Sequence, residues 1–173
     1  MKTDLHPIPD SYWVAPQQFL AGEYPGAMSK DETRRKVSAL LDAGIRSFLD
    51  LTETHELRPY DPLVQEIAAT CQIEVRYRRM SVPDMGIPTV EHMTAVLDHI
   101  DNEIQDARPV YVHCWGGIGR TGTVVGCWMV QREGRTAEEA LQRIAELRAT
   151  TPDGRRTSPE TEEQREFINR WTV

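Results

Sequence analysis

The residues best suited to chemistry lie together in residues 110–122, which read Val-Tyr-Val-His-Cys-Trp-Gly-Gly-Ile-Gly-Arg-Thr-Gly. Cys114 is a nucleophile when its thiol is ionised. Arg120 carries a planar set of N–H donors that holds two oxygens of a phosphate group at once. Five residues separate the two, and three of those five are glycines. This combination predicts nucleophilic chemistry by Cys114 on a bound oxyanion.

The elements around this segment bring the two residues to one point. Residues 110–113 stay apolar until the last and predict a central strand buried on both faces, while a helical pattern runs from Arg120 to about Arg132 and stops at Gly134. The intervening glycines let successive backbone N–H groups point inward, and the helix N-terminus adds the positive end of its dipole. We therefore predict a phosphate cradle that favours the thiolate. Its substrate-binding residues are Trp115, Gly116, Gly117, Ile118, Gly119 and Arg120.

The pattern His-Cys-x5-Arg-Thr, from His113 to Thr121, resembles the signature of protein-tyrosine and dual-specificity phosphatases. The glycine pair after Trp115 resembles the kinase-associated and small bacterial members. The resemblance implies a two-step reaction without a metal or other cofactor. Cys114 attacks phosphorus, and water then hydrolyses the phosphocysteine.

The resemblance also implies a general acid on an upstream loop. Residues 81–88, Ser-Val-Pro-Asp-Met-Gly-Ile-Pro, fit that place. Asp84 is expected to protonate the leaving oxygen and then to act as the base on the attacking water. Val82 stands where receptor-type enzymes have a tryptophan, and Gly86 leaves the loop free to open and close.

Three further assignments depend on the resemblance. Thr121 is expected to donate a hydrogen bond to the sulfur of Cys114 and to stabilise it as the leaving thiolate. His113 is expected to orient the loop from beneath, without contacting substrate. Trp115 has two open interpretations: it stacks on a phosphotyrosine ring at the pocket mouth, or it packs beside a neighbouring helix.

A third segment, residues 158–168, resembles the glutamine-bearing helix of tyrosine phosphatases. Gln164 matches the second glutamine of that pattern, but Glu160 stands in the place of the first, so the role of both residues is left open. Arg155 and Arg156 are interpreted as a solvated turn.

Outside these segments, Cys71 and Cys127 are interpreted as core residues. A reversible disulfide of either with Cys114 is also left open.

Apolar periodicity alternates between short strand-like runs and longer helical runs. This alternation predicts one α/β domain over residues 1–173, with a central mixed, mostly parallel sheet flanked by helices and the cysteine loop at the carboxyl end of a central strand. The predicted strands are 45–51, 73–80 and 110–113. The predicted helices are 30–43, 62–71, 89–107, 120–132, 137–149 and one capped by Ser158 that ends near Trp171.

Composition limits the partners. The chain has 173 residues and a formal net charge of −7, and it has no obvious basic face, which argues against a nucleic-acid partner. We find no secretory signal and no apolar run long enough for a membrane span. Three cysteines at no metal-like spacing favour a reducing compartment. We expect a cytoplasmic protein with a phosphorylated protein or peptide as substrate; the oligomeric state is open.

Three other functions compete with a protein phosphatase. A phosphoinositide or inositol-phosphate phosphatase typically carries lysines within the loop, which has none here. A catalytically inactive phosphate-recognition module usually lacks the cysteine, the arginine or the acid. A rhodanese-type sulfurtransferase has a shorter loop. Among protein phosphatases a deep pocket accepts only phosphotyrosine, whereas a shallow one also accepts phosphoserine and phosphothreonine; the compact chain favours the dual-specificity architecture.

Overall fold

The computed structural model describes residues 6–172, which form one five-stranded sheet and six helices. The strands are β1 (Ser11–Ala15), β2 (Phe19–Gly22), β3 (Ser47–Asp50), β4 (Arg76–Arg79) and β5 (Val110–His113). The helices are α1 (Lys30–Asp42), α2 (Asp61–Cys71), α3 (Val90–Gln105), α4 (Arg120–Glu133), α5 (Ala137–Arg148) and α6 (Glu162–Asn169). The predicted α/β class, with a mixed sheet flanked by helices, is confirmed.

The sheet order is β1-β2-β5-β3-β4, and only the β1–β2 pair is antiparallel. β5 is the central strand, and all four of its residues are buried, as its apolar sequence predicted. The carboxyl ends of β2, β3 and β5 lie side by side because these strands are parallel. The loops that follow them therefore meet at one edge of the sheet, the usual place for a ligand in such folds.

Each face of the sheet is covered by its own hydrophobic core. On one face, β-strand side chains such as Phe19, Leu49 and Val112 pack with helices α3 to α6. On the other, Leu20, Phe48 and Tyr111 pack with helices α1 and α2. The two cores hold β5 rigidly from both sides, which fixes the position of the cysteine that follows it.

Side-chain caps begin four of the six described helices, α1, α3, α5 and α6. Ser29 accepts a hydrogen bond from the N–H of Glu32 at the start of α1, and Thr136 and Glu139 form a full capping box at α5. The prediction for the last helix is wrong: Ser158 does not cap it. α6 begins at Glu162, with Thr161 and Gln164 as its capping box. The Ser158 hydroxyl instead donates to the carbonyl of Ile118, at 2.7 Å.

Some positions differ from the pattern-based prediction. Strand β1 was not predicted, because its sequence Ser-Tyr-Trp-Val-Ala does not alternate between apolar and polar residues. In the structure its successive residues are buried. In the helix predicted over 89–107, the apolar periodicity places Val90 on the same face as Met93 and Leu97, yet Val90 is 58% exposed whereas those two are buried. Cys71 was interpreted as a core residue and is exposed, whereas Cys127 is buried. Within the described residues, no helix is both long and apolar enough to cross a membrane.

Candidate active site

Residues 114–120 form a tight loop between β5 and α4. Cys114 is only 3% exposed, at the base of the loop. Gly117 has φ +70°, and a Cβ there would lie 2.3 Å from the carbonyl carbon of Gly22, so only glycine fits. The backbone N–H of Tyr24 donates to the carbonyl of Trp115 at 2.8 Å. The segment after β2 thus holds the loop in one shape.

Arg120 is 2% exposed and is held by a carboxylate. Its two terminal nitrogens bind the two carboxylate oxygens of Glu56, at 2.7 and 2.8 Å, and one also donates to the carbonyl of Val82 at 2.9 Å. Burial alone would lower the pKa of Arg120, but the bonds to Glu56 and the nearby Cys114 raise it. The guanidinium stays charged in a fixed plane.

Sequence reasoning missed Glu56. It lies in the irregular segment after β3, where no motif or periodicity distinguishes it from its neighbours. Hydrogen bonds from Arg120 lower its pKa, against the opposing effect of burial. A buried arginine requires an acidic partner, and that requirement was the one signal available from the sequence.

Asp84 lies beside the same guanidinium. Its Oδ1 is 3.1 Å from Nη2 of Arg120, although the carboxylate side chain is 50% exposed. The structure therefore brings Cys114, Arg120 and Asp84 into one cavity, as the sequence predicted. Met85, with φ +60°, follows Asp84 and is 49% exposed at the cavity mouth.

Gln164 connects the Asp84 loop to the last helix. Its Nε2 donates to the carbonyl of Gly86 at 3.0 Å, and its Oε1 accepts from the N–H groups of Glu160 and Thr161, both at 3.1 Å. It is fully buried, lines the cavity and packs on Gly119. The spacing Thr161-x-x-Gln164 is that of a capping box, so the sequence indicates that Gln164 lies in the first turn of a helix. Nothing in the sequence indicates that Gln164 contacts the Asp84 loop.

His113 lies beneath the loop and is fully buried. Its Nδ1 lies 3.1 Å from the carbonyl of Cys114, which can only accept, so Nδ1 is the donor and Nε2 accepts from the Tyr60 hydroxyl at 2.6 Å. Burial lowers the pKa of His113, which agrees with this neutral form. The position matches the predicted orienting role.

Thr121 is also fully buried, directly after Arg120. Its hydroxyl has no hydrogen-bond partner among residues 6–172, and so the expected bond to the sulfur of Cys114 is not formed in this structure. Its role in the second step stays a prediction. A hydroxyl that is buried without a partner is free to rotate toward a group that gains charge.

The cavity above Cys114 has a volume of about 460 Å³. Five of the six predicted substrate-binding residues line it, and Gly117 is the exception because it packs against Gly22. Trp115 is 59% exposed at the mouth, which favours the first of its two interpretations. Arg156, interpreted from sequence as a solvated turn residue, also lines the cavity, together with Glu23, Asp153 and Glu160.

The other two cysteines take no part in this arrangement. Cys71 is exposed at the end of α2, and burial raises the pKa of the Cys127 thiol. Neither lines the cavity with Cys114. Within the described part of the chain, no group of three or more His, Cys, Asp or Glu side chains is arranged to hold a metal ion.

Residues 23–135 match the family model described as "Polymorphic toxin system, DSP-PTPase phosphatase". This range includes Glu56, Asp84 and the whole cysteine loop. The chain belongs to this DSP-PTPase family. Its fold is the one that the resemblance implied.

Several curated relatives match parts of the chain. The uncharacterized protein MJECL20 of Methanocaldococcus jannaschii is 37% identical over 87 residues, which are 50% of this chain and 53% of that protein. The phosphatidylglycerophosphatase and protein-tyrosine phosphatase 1 of Rattus norvegicus is 30% identical over 118 residues, 68% of this chain and 58% of that one. The chain thus spans about half the length of the curated relatives it matches.

Among solved structures, Tk-PTP in its active form superposes with a TM-score of 0.73 at 24% identity. The superposition covers 92% of this chain and 94% of Tk-PTP. At this identity the likeness concerns the fold alone. It places the DSP-PTPase domain of this chain among tyrosine-phosphatase-like α/β folds.

Proposed function

We propose that this chain hydrolyses phosphotyrosine in proteins or peptides through a phosphocysteine intermediate on Cys114. The observation that carries the proposal is the single cavity in which Cys114, the buried Arg120 and Asp84 meet, with Asp84 3.1 Å from the guanidinium. Phosphoserine and phosphothreonine are further substrates if the pocket admits their shorter side chains. Trp115 and Met85 at the mouth supply apolar surface for the organic part of the substrate.

In the first step, the inward N–H groups of the loop and Arg120 hold the phosphoryl oxygens. The sulfur of Cys114 forms a bond to phosphorus as the bond from phosphorus to the tyrosine oxygen breaks. Asp84, protonated at this stage, gives its proton to the departing oxygen. The position of Asp84, with its Oδ1 3.1 Å from Nη2 of Arg120, supports this role, since it places the acid at the edge of the phosphate site.

In the second step, water attacks phosphorus and Asp84 takes up its proton. The sulfur–phosphorus bond breaks, inorganic phosphate forms and the thiolate is restored. The fixed plane of Arg120, set by Glu56, positions the phosphoryl group in both steps. Thr121 is the proposed donor to the leaving sulfur.

The rival within the phosphatases is hydrolysis of a phosphoinositide or inositol phosphate. The name of the rat relative combines a lipid phosphatase with a tyrosine phosphatase, so family membership does not separate the two. The loop has no lysine, and of the described residues only Arg120 and Arg156 bring positive charge to the cavity. The rival from another class, an inactive phosphate-recognition module, is disfavoured because the nucleophile, clamp and acid all line one cavity.

The test is phosphate release, in the presence of a chelator, from matched phosphotyrosine, phosphothreonine and phosphoinositide substrates. The Cys114→Ser protein serves as the blank. We expect Cys114-dependent release from phosphotyrosine, and release from phosphothreonine as well for a shallow pocket. Release from the lipid alone would overturn the protein-substrate proposal. No release from any substrate would favour the recognition module.

A further inference from the structure

The rim of the cavity carries an unusual set of charges for a site that binds phosphate. Beyond Cys114, Asp84 and Arg120, its charged residues are three carboxylates, Glu23, Asp153 and Glu160, and one guanidinium, Arg156. Glu23 is balanced from outside the cavity by Lys36, at 3.2 Å. Asp153 and Glu160 therefore share a single cation, and the rim keeps an excess of negative charge.

Arg156 is already occupied by these two carboxylates. One nitrogen lies 2.7 Å from Oε1 of Glu160, and another lies 3.5 Å from Oδ2 of Asp153. Its neighbour Arg155 is exposed and does not line the cavity. A second phosphate on the substrate would therefore find no unpaired cation at the rim among the residues that the structure describes.

We propose that this rim selects substrates with a single phosphate beside cationic groups, namely phosphotyrosyl peptides with lysine or arginine next to the phosphotyrosine. This inference rests on the proposed function and names its substrate class. Glu160, which replaces the first glutamine of the family helix, is a specificity-determining residue because it neutralises Arg156. Polyanionic substrates are rejected because their further phosphates meet Asp153 and Glu160.

The size of the effect follows from charge interactions near a protein surface. A peptide charge within about 8 Å of the rim interacts through partly solvated space, and the interaction is screened by salt with a Debye length of about 10 Å at 0.1 M. Each peptide charge should then change affinity about twofold, so that four charges multiply to about sixteenfold. Two flanking lysines instead of two flanking glutamates, a difference of four charges, should give a preference of at least about tenfold at low salt.

The experiment uses phosphotyrosine peptides that differ only in the two residues beside the phosphotyrosine: two lysines, two glutamines or two glutamates. A fourth peptide carries a second phosphate. Affinity is measured with the Cys114→Ser protein, and kcat/KM with the unmodified chain. The binding ratios test the charge preference even if turnover is absent. Absence of turnover would contradict the proposed function, and the binding ratios alone would then support or overturn this inference.

The variants move the preference in opposite directions. Glu160→Gln combined with Asp153→Asn removes the rim excess and frees Arg156. We expect it to reduce the lysine-over-glutamate ratio to below about threefold and to improve binding of the doubly phosphorylated peptide. Arg156→Gln should increase the ratio. Asp42→Asn combined with Glu138→Gln, which also removes two negative charges at exposed positions outside the cavity, is the matched control and should leave the ratio unchanged.

Two results together support the inference. The lysine-over-glutamate affinity ratio falls toward one at about 0.5 M salt, and the rim variants change this ratio in the directions given above. Equal affinity for the three peptides, or preference for glutamate, would overturn it. So would a ratio that the double variant leaves unchanged, because the preference would then come from another surface. Circular dichroism spectra of the variants confirm that each is folded.

Discussion

Arg120 illustrates at the residue scale how the protein prepares a phosphate site before phosphate arrives. The guanidinium is buried, yet Glu56, Asp84 and the carbonyl of Val82 satisfy its donors. A buried charge without partners costs several kcal/mol, so these acceptors keep the clamp charged and oriented. In the proposed mechanism, Asp84 is the one of these acceptors that also exchanges a proton with substrate.

Replacing Asp84 by asparagine should lower kcat on phosphotyrosyl peptides by about 10²–10⁴, the range expected for a positioned general acid. The loss should be smaller with 4-nitrophenyl phosphate, whose leaving group needs little protonation. Phosphate should bind at least as tightly as before, because the amide of the variant brings no negative charge to Arg120. Steady-state kinetics and inhibition by phosphate measure both effects.

The matched control is Asp42→Asn, an exposed change at the end of α1 far along the chain from the cavity. It should leave both constants unchanged. A loss below about threefold for Asp84→Asn on peptides would show that another group is the acid.

At the element scale, the site depends on the loops that follow the parallel strands β2, β3, β4 and β5, and on helix α6, which contacts the last two of these loops. Gln164 of α6 bonds to Gly86 in the Asp84 loop and packs on Gly119 in the cysteine loop. The Ser158 hydroxyl, just before α6, bonds to the carbonyl of Ile118. The C-terminal segment thus positions the acid loop against the phosphate loop.

Gln164→Ala should release the Asp84 loop. We expect kcat on phosphotyrosyl peptides to fall about tenfold, with a smaller change on 4-nitrophenyl phosphate, because the loss concerns the placement of the acid. Gln142→Ala, on the exposed face of α5, is the control. Equal losses on both substrates would instead indicate damage to the phosphate loop.

The elements that were predicted correctly are those with a distinctive order of residues in the local sequence. The cysteine loop, α4 and β5 were predicted because glycine, a nucleophile and an apolar run occur in a fixed local order. Asp84 followed from the resemblance and lies where it was expected. Ser158 misled because a serine before a proline is a common helix start, whereas its hydroxyl bonds to the cysteine loop.

The contacts that the sequence could not give are those between residues far apart in the chain. Glu56 and Arg120 are separated by 64 positions, and nothing local marks the glutamate as a partner of that arginine. Arg156 reads as a turn residue and lines the cavity only because its segment folds back against the loop. Such pairs appear once the topology is known.

At the scale of the whole molecule, the sheet carries a buried polar network beneath the site. Asp50, at the end of β3, accepts hydrogen bonds from Thr52 at 2.8 and 2.6 Å and from the Tyr77 hydroxyl at 2.7 Å, and it pairs with Arg79 at 3.1 Å. Burial would raise its pKa, but the net shift is downward because the hydrogen bonds from Thr52 and Tyr77 lower it. The network joins β3 and β4.

Asp50→Asn should lower the free energy of unfolding at pH 7 by about 1–3 kcal/mol, because charge-assisted bonds are lost in a buried place. A carboxyl whose folded pKa is lowered stabilises the fold above its unfolded pKa of about 3.9, and this contribution is lost as pH falls through the folded pKa. The difference between the variant and the unmodified chain should therefore be full at pH 7 and shrink below about pH 4.

Denaturant unfolding at several pH values measures this difference, with Asp42→Asn as the control. A difference that stays constant from pH 7 to pH 3 would mean that the charge of Asp50 does not stabilise the fold.

In the proposed reaction Cys114 carries the phosphoryl group, and this can be tested by trapping the phosphocysteine. A phosphotyrosyl peptide labelled in its phosphate is mixed with the protein, the reaction is quenched in the steady state and the labelled residue is identified by mass spectrometry. We predict label on Cys114, none in Cys114→Ser, and phosphate still bound by that variant. Turnover by pure Cys114→Ser protein, or label on another residue, would contradict the account.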